Sequence, residues 1–185
     1  MPARAATLDL RFKPSKPVPT MPVPQFIASL RARVGHDLLF VPTVAVLARD
    51  EADRLLLVQD QESGLWCCPG GIVEPDECPA DAAVRETWEE SGIFVELVRV
   101  AGVFGGEHCG GTYRNGDRIA WVATVFDARP VTGVPRGDGL ETRDARFFAA
   151  DDVAALSLKP GTRLFLQVAS ASAQAFFKPA TWVPG

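Results

Sequence analysis

The sequence predicts an α/β domain, a mixed β-sheet covered on both faces by helices. Three observations lead there. Short runs rich in β-branched and aromatic residues recur along the chain, among them FVPTVAVLA (Phe40–Ala48) and RIAWVATVFDA (Arg118–Ala128). A stretch of good helix formers, ADAAVRETWEES, lies between Pro79 and Gly92. Asn115-Gly116, set between TYR and DRI, marks a tight hairpin.

In chain order, residues 1–25 carry Pro2, Pro14, Pro17, Pro19, Pro22 and Pro24 near Arg11, Lys13 and Lys16, which predicts an extended arm. A loose tail and a strap across a homodimer partner both fit it. The domain is expected over 26–178, with a tail at 179–185. Gln25–Val34 reads as a short helix stopped by Gly35. Phe40–Ala48 and Arg54–Gln59 read as strands joined by the polar RDEAD turn, and Leu65–Cys68 as a short strand entering Gly70-Gly71. Pro79 suits the first turn of the next helix, where a missing N–H is no loss. Cys78 would be its cap, a poorer choice than Ser or Asp. Gly92 suits its left-handed end. Phe94–Phe104 is strand-like, Gly105–Gly111 irregular, and Arg118–Ala128 a long buried strand. Arg143–Phe148 is a further strand. Asp151 or Asp152 caps a short helix, and Thr162–Phe177 reads as a last helix with Leu164, Phe165 and Val168 toward the core. No internal repeat or heptad is visible.

Composition narrows the function. A net charge of −4 disfavours long nucleic-acid polymers as partners. It leaves nucleotides open, because bound divalent cations invert the local field. No apolar run is long enough to span a membrane, and MPARAATLDLRF lacks the apolar core of a signal peptide, so a cytoplasmic protein is the expectation. The cysteines Cys67, Cys68, Cys78 and Cys109 form no C-x-x-C pair and read as reduced thiols.

The chemistry concentrates in GIVEPDECPADAAVRETWEESGI, Gly71 to Ile93. At 100° per residue, Glu86, Glu89 and Glu90 fall within an arc of about 100°. Val84, Thr87, Trp88 and Ser91 fall on the other side, so the helix is expected to bury Val84 and Trp88 and to display three carboxylates. Carboxylates that dense repel one another unless a cation sits among them, and Mg²⁺ or Mn²⁺ prefers oxygen ligands. A solvated Glu-rich face, with Arg85 paired to Glu89 at i,i+4, is the alternative. Gly70-Gly71 permits close backbone approach just upstream.

Gly71, Glu77, Arg85, Glu86, Glu89, Glu90, Gly92 and Ile93 match the Nudix hydrolase signature, glycine-x5-Glu-x7-Arg-Glu-U-x-Glu-Glu-x-Gly-U, with U a bulky aliphatic residue. Thr87 departs from the pattern at the first U. Seven fixed residues recur by chance with odds on the order of 10⁻⁶ or less, so the match is not one of composition. The chain therefore resembles Nudix (MutT-like) hydrolases over the box, and more loosely from Val41 to Phe148.

The resemblance implies a Nudix-type α/β/α sandwich with a mixed β-sheet. It implies hydrolysis of the pyrophosphate bond in a nucleoside diphosphate linked to another moiety. Mg²⁺ or Mn²⁺ would be held by Glu86, Glu89, Glu90 and the Gly70 carbonyl. Glu77, Arg85, Gly71 and Gly92 would serve as supports, Arg85 orienting Glu89 or Glu77. Either Glu86 or Glu141, in the later loop GDGLET, would act as base. Glu107, His108 and Tyr113 are candidates for substrate contact, and Tyr113 or Trp121 for stacking on a base. The downstream Pro of ADP-ribose enzymes, the Tyr of dinucleoside polyphosphate enzymes and the SQPWPxS of NADH pyrophosphatases are absent, and the layout looks most like ADP-ribose-type or MutT-like members. A regulator that binds nucleotide without hydrolysing it is the alternative, disfavoured by intact glutamates. An RNA 5′-end hydrolase would want a basic groove.

Overall fold

The structure, a computed structural model, describes residues 24–107, 109–113, 115–169 and 174–183, without the side chains of Val168 and Ala169. Most of the expected Pro-rich arm, residues 1–23, lies outside them, as does His108.

The first sheet is mixed. Strand β1 (Leu39–Ala48) runs parallel to β6 (Arg118–Gly133), in register from Leu39↔Ile119 to Ala48↔Ala128. Strand β4 (Ile93–Phe104) pairs antiparallel on the far side of β6, and β5 (Gly110–Thr112) pairs with the start of β6. A second, antiparallel sheet has the order β3-β2-β7, from β2 (Leu55–Asp60), β3 (Trp66–Cys67) and β7 (Thr142–Phe148). Helix α1 (Gln25–Val34) precedes β1, α2 (Pro79–Ser91) precedes β4, and α3 (Ala150–Ala155) and α4 (Pro160–Ala169) follow β7.

Alternation along β1 and β2 divides the core. Ala45, Leu47, Leu55 and Leu57 pack with Phe104, Val125 and Phe165 of α4. Val44, Val46, Ala48 and Leu56 pack the other way, with Ala82 and Ala83 of α2 and with Ile93, Val95 and Phe126. Side chains two apart on a strand share a face, so α2 and α4 cover opposite faces, as the sandwich requires. Among the described residues no helix is long and apolar enough to cross a membrane.

Four expectations need correction. Gly110 and Gly111 are not irregular: they pair with Ala120 and Ile119 and complete the Asn115-Gly116 hairpin. Strand β6 continues past Ala128 because β4 shifts register three times and stays paired through Gly133. Asp151 and Asp152 sit inside the first turn of α3, whose cap position is Ala149. The last helix does not run to Phe177. Phe176 instead exchanges backbone hydrogen bonds with the outer edge of β4, its N–H to Ala101 O (2.8 Å) and its carbonyl from Val103 N–H (2.9 Å).

Candidate active site

Residues 69–71 are laced to β1, with Val46 N–H donating to Pro69 O and Val44 N–H to Gly71 O, both at 2.9 Å. Gly70 adopts φ +152° against the Val44 carbonyl, a place with no room for a Cβ. The chain then turns through Glu77 into α2. Pro79 opens the helix, Cys78 stands at the cap position with extended backbone and no side-chain cap bond, and Gly92 ends it in the left-handed conformation (φ 68°, ψ 15°).

The packed face of α2 keeps the expected Val84, Thr87 and Ser91 but turns away from Trp88. Trp88 is 48% exposed, Val84 is only partly buried, and the buried residues are Ala82, Ala83, Thr87, Glu90 and Ser91. Small side chains let the helix approach the sheet closely. Their hydroxyls are satisfied within the helix, Thr87 Oγ1 donating to Ala83 O (2.7 Å) and Ser91 Oγ to Thr87 O (2.5 Å). Thr87 thus fills the aliphatic position of the signature without an unpaired polar atom.

Arg85 organises three of the carboxylates. Its Nε and Nη2 grip Glu77 at 2.8 and 2.9 Å, and Nη1 reaches both Glu86 and Glu89 at 3.0 Å. Nη2 also donates to Ile72 O (3.3 Å), so all five N–H bonds of the guanidinium are spent. Glu77 accepts the Glu74 N–H (3.2 Å) and closes the turn. Hydrogen bonding to Arg85 holds the Glu77 carboxyl below its ordinary value. Glu86 differs. With its side chain 12% exposed, burial pushes its carboxyl up to about 7, against the pull of Arg85.

Glu90 is the most deeply placed of the three acids on this helix face, at 9% exposure. Its Oε2 accepts the Gly70 N–H at 2.9 Å, and no cationic side chain bonds it among the described residues. Burial raises it well above the carboxylate range. The Gly70 bond opposes the rise, and the charges of Glu86 and Glu141 add to it.

Glu141 stands more than 50 residues from the helix in sequence, yet its charge is felt at Glu86 and Glu90. Its loop is rigidly made. Asp138 Oδ1 accepts the N–H groups of Leu140 (2.9 Å), Glu141 (3.0 Å) and Thr142 (2.8 Å). The Thr142 hydroxyl bonds Glu90 O at 2.7 Å, and Gln61 N–H donates to Glu141 O at 2.8 Å. Burial, then Asp138 and Glu89, push the Glu141 carboxyl up.

Among the described residues, no three acidic, His or Cys side chains already surround one point; Arg85 draws Glu86 and Glu89 to itself. The donor chemistry nonetheless suits a hard divalent cation. Glu86, Glu89, Glu90 and Glu141 are all oxygen donors, and three of them, Glu86, Glu90 and Glu141, carry charge that burial makes costly. Of the other candidates, Glu107 lies exposed on the 105–107 turn, and Tyr113 is half-exposed beside the hairpin. Neither is bonded to the carboxylate cluster. Asp138, Thr142, Asp60 and Lys159 escaped the sequence reading. Of these only Asp138 left a trace, an Asp between glycines shortly before a Thr.

Residues 39–168 match the NUDIX domain family. A "MutT-like protein" of Streptomyces ambofaciens is 38% identical over 96 residues, 52% of this chain and 55% of that one, so the chain spans about half of that relative. The "Uncharacterized Nudix hydrolase YvcI" of Bacillus subtilis (strain 168) is 32% identical over 123 residues, covering 64% of this chain and 72% of that one. A solved structure of an ADP-ribose pyrophosphatase from Streptococcus suis superposes with a TM-score of 0.57 at 26% identity, covering 74% of this chain and 96% of that one. With a sandwich of this form and an intact Gly71–Ile93 box on α2, the chain belongs to the Nudix family of hydrolases, enzymes that act on pyrophosphate bonds.

Proposed function

We propose that the protein hydrolyses the pyrophosphate bond of a nucleoside diphosphate linked to another moiety, ADP-ribose-like or nucleoside triphosphate-like, with Mg²⁺ or Mn²⁺. The supporting observation is Glu90, a buried acid with one backbone donor and no cationic partner, set between Glu86 and Glu141. Glu86, Glu89, Glu90 and the Gly70 carbonyl would hold the metal. When bound, it neutralises the pyrophosphate and makes a water more acidic.

The chain's own groups do the rest. Arg85 is saturated and orients Glu77, Glu86 and Glu89 without touching substrate. Glu141 takes the proton from the attacking water. Unlike Glu86 it is not held by Arg85, and Asp138 and Thr142 fix its backbone. Its raised proton affinity makes it a stronger base than an ordinary carboxylate. Glu107 and Tyr113 would border the substrate; His108 lies outside the described residues. Four free cysteines suit a reducing compartment, and we place the protein in the cytoplasm.

The test is a panel of nucleoside diphosphate derivatives and triphosphates with Mg²⁺ or Mn²⁺, beside Glu90→Gln and Glu141→Gln. Turnover should fall by ~10²-fold in Glu141→Gln. Tight nucleotide binding without metal-dependent turnover on any substrate would make the protein a nucleotide sensor instead. Normal rates in Glu141→Gln would remove it from the mechanism.

A further inference from the structure

Lys159 lies outside the signature, on the link between α3 and α4. Its N–H donates to Trp66 O, and Trp66 N–H donates to Ser157 O, both at 2.9 Å, so residues 157–159 form a short rung against β3. Its Nζ meets Asp60 Oδ2 at 2.7 Å. Asp60 is buried at the end of β2, and its other oxygen accepts the N–H (2.7 Å) and hydroxyl (2.5 Å) of Ser63.

Both anchors lead to the site. Strand β3 runs directly into Pro69-Gly70, whose amide holds Glu90. Asp60 pairs with Thr142, and the next residue, Gln61, donates to the Glu141 carbonyl. The ammonium is therefore pinned where the supports of Glu90 and Glu141 meet. The Lys159 side chain is 40% exposed, and Asp60 takes only one of the ammonium's three N–H bonds. Arg85, by contrast, has no donor left for an anion.

We propose that Lys159 binds a non-bridging oxygen of the substrate's pyrophosphate, with Asp60 as the positioning residue that aims it. The inference rests on the pyrophosphate reading above. Burial works against the lysine's charge, but the direct bond to the Asp60 carboxylate supports it, and the ammonium's hold on its proton is raised on balance. The same charge is felt at Glu90, Glu141 and the Tyr113 phenol, so it acts across the site. A Lys serves a phosphate as a compact point charge with rotatable donors, which suits a group moving between reactant and product.

The probe is α,β-methylene-ADP, which is not cleaved at its bridging carbon, titrated calorimetrically into wild type, Lys159→Met and Asp60→Asn. KM and kcat are measured alongside on the best substrate of the panel. Lys159→Met keeps the alkyl stem and removes one charge-assisted bond, so analogue affinity should fall ~10–100-fold and KM should rise in step. Its salt dependence should become shallower. Asp60→Asn should lower Tm yet bind the analogue within ~5-fold of wild type, because the ammonium remains. If Lys159→Met does not fold, Lys159→Gln, which can still donate to Asp60, takes its place with the same expectation. Wild-type affinity in the Lys159 variants would overturn the proposal. So would parallel losses of affinity in Lys159→Met and Asp60→Asn that track Tm, which would make the pair a structural staple. A wild type that binds the analogue and hydrolyses nothing sinks the enzymatic reading alone.

Discussion

Adding one methyl group at Gly71 should disarm the enzyme, while the same methyl at Gly70 should destabilise its fold. At Gly71 the new Cβ would lie 2.5 Å from Glu86 Cδ and 2.7 Å from Glu86 Oε2, and its three nearest neighbours are all atoms of that one carboxylate. Contacts below about 3.0 Å are not tolerated, so the carboxylate must swing away by half an ångström or more, leaving Arg85. Gly71 needs no left-handed backbone. Ala there also restricts the unfolded chain by ~0.4–1 kcal/mol, which offsets much of the cost of moving a side-chain end. Tm should stay within ~3 °C of wild type, while a displacement near 1 Å at a reacting group costs ~10²-fold in turnover. At Gly70 the Cβ meets the Val44 carbonyl and lies 2.7 Å from Ala45 Cα, both backbone of β1, at φ +152°. Overpacking of that kind costs ~1–3 kcal/mol and the backbone strain a similar amount, which lowers Tm by ~5–15 °C at this chain length. Thermal melts and steady-state rates on both variants decide it. A Gly71→Ala protein with wild-type turnover, or one melting as low as Gly70→Ala, would refute the reasoning.

Glu90→Gln removes a buried charge and keeps an acceptor for the Gly70 N–H. The metal-free protein should melt ~2–4 °C higher for each kcal/mol of relieved desolvation, with turnover down at least ~10²-fold; a lower melt would mean the charge is already compensated. Thr142→Val strips the hydroxyl that bonds Glu90 O from a fully buried site. It should cost ~1–3 kcal/mol in denaturant melts and slow turnover through Glu141; unchanged stability would remove the clamp. The Asp60 carboxyl is raised by burial but lowered further by Lys159 and Ser63, so its net value falls below the ordinary one. Its contribution is present above the unfolded value of about 3.9 and is lost as pH falls through the folded value. The Tm gap between wild type and Asp60→Asn should therefore narrow from pH 6 toward pH 3, and a gap that widens on acidification would reverse the assignment.

The strands were legible because their alternation is two-faced: each inward residue of β1 meets one core or the other, so a hydrophobic run and its length are enough. The face of α2 was legible only in part. Val84, Thr87 and Ser91 do face the core, but Trp88 does not, and close packing adds Ala82 and Ala83, whose size carries little weight in a hydrophobicity pattern. The end of the last helix was misplaced because Phe176 and Phe177 continue an apolar pattern, and only the open edge of β4 draws Phe176 out as a strand. Spacing exposed the box because its residues are local. Lys159–Asp60 spans 99 residues and Thr142–Glu90 spans 52, and no spacing rule reaches that far.

Repulsion among the box carboxylates, taken from sequence as the demand for a cation, proves to be unevenly distributed. Glu77, Glu86 and Glu89 share one guanidinium, so part of their repulsion is relieved by the protein itself. The demand that remains falls on Glu90, which Arg85 does not reach, and on Glu141, which arrives from another sheet. That division separates two tasks that the signature presents as one. Arg85 keeps a charged cluster folded before any ligand arrives, at the expense of holding two carboxylates away from a common centre. Glu90 and Glu141, anchored through backbone at Gly70, Asp138 and Gln61, supply fixed points that do not depend on Arg85. Variants of Arg85 should then lose stability and activity together, while variants of Glu90 should trade one against the other, and this opposite sign distinguishes the organiser of the site from its working acid.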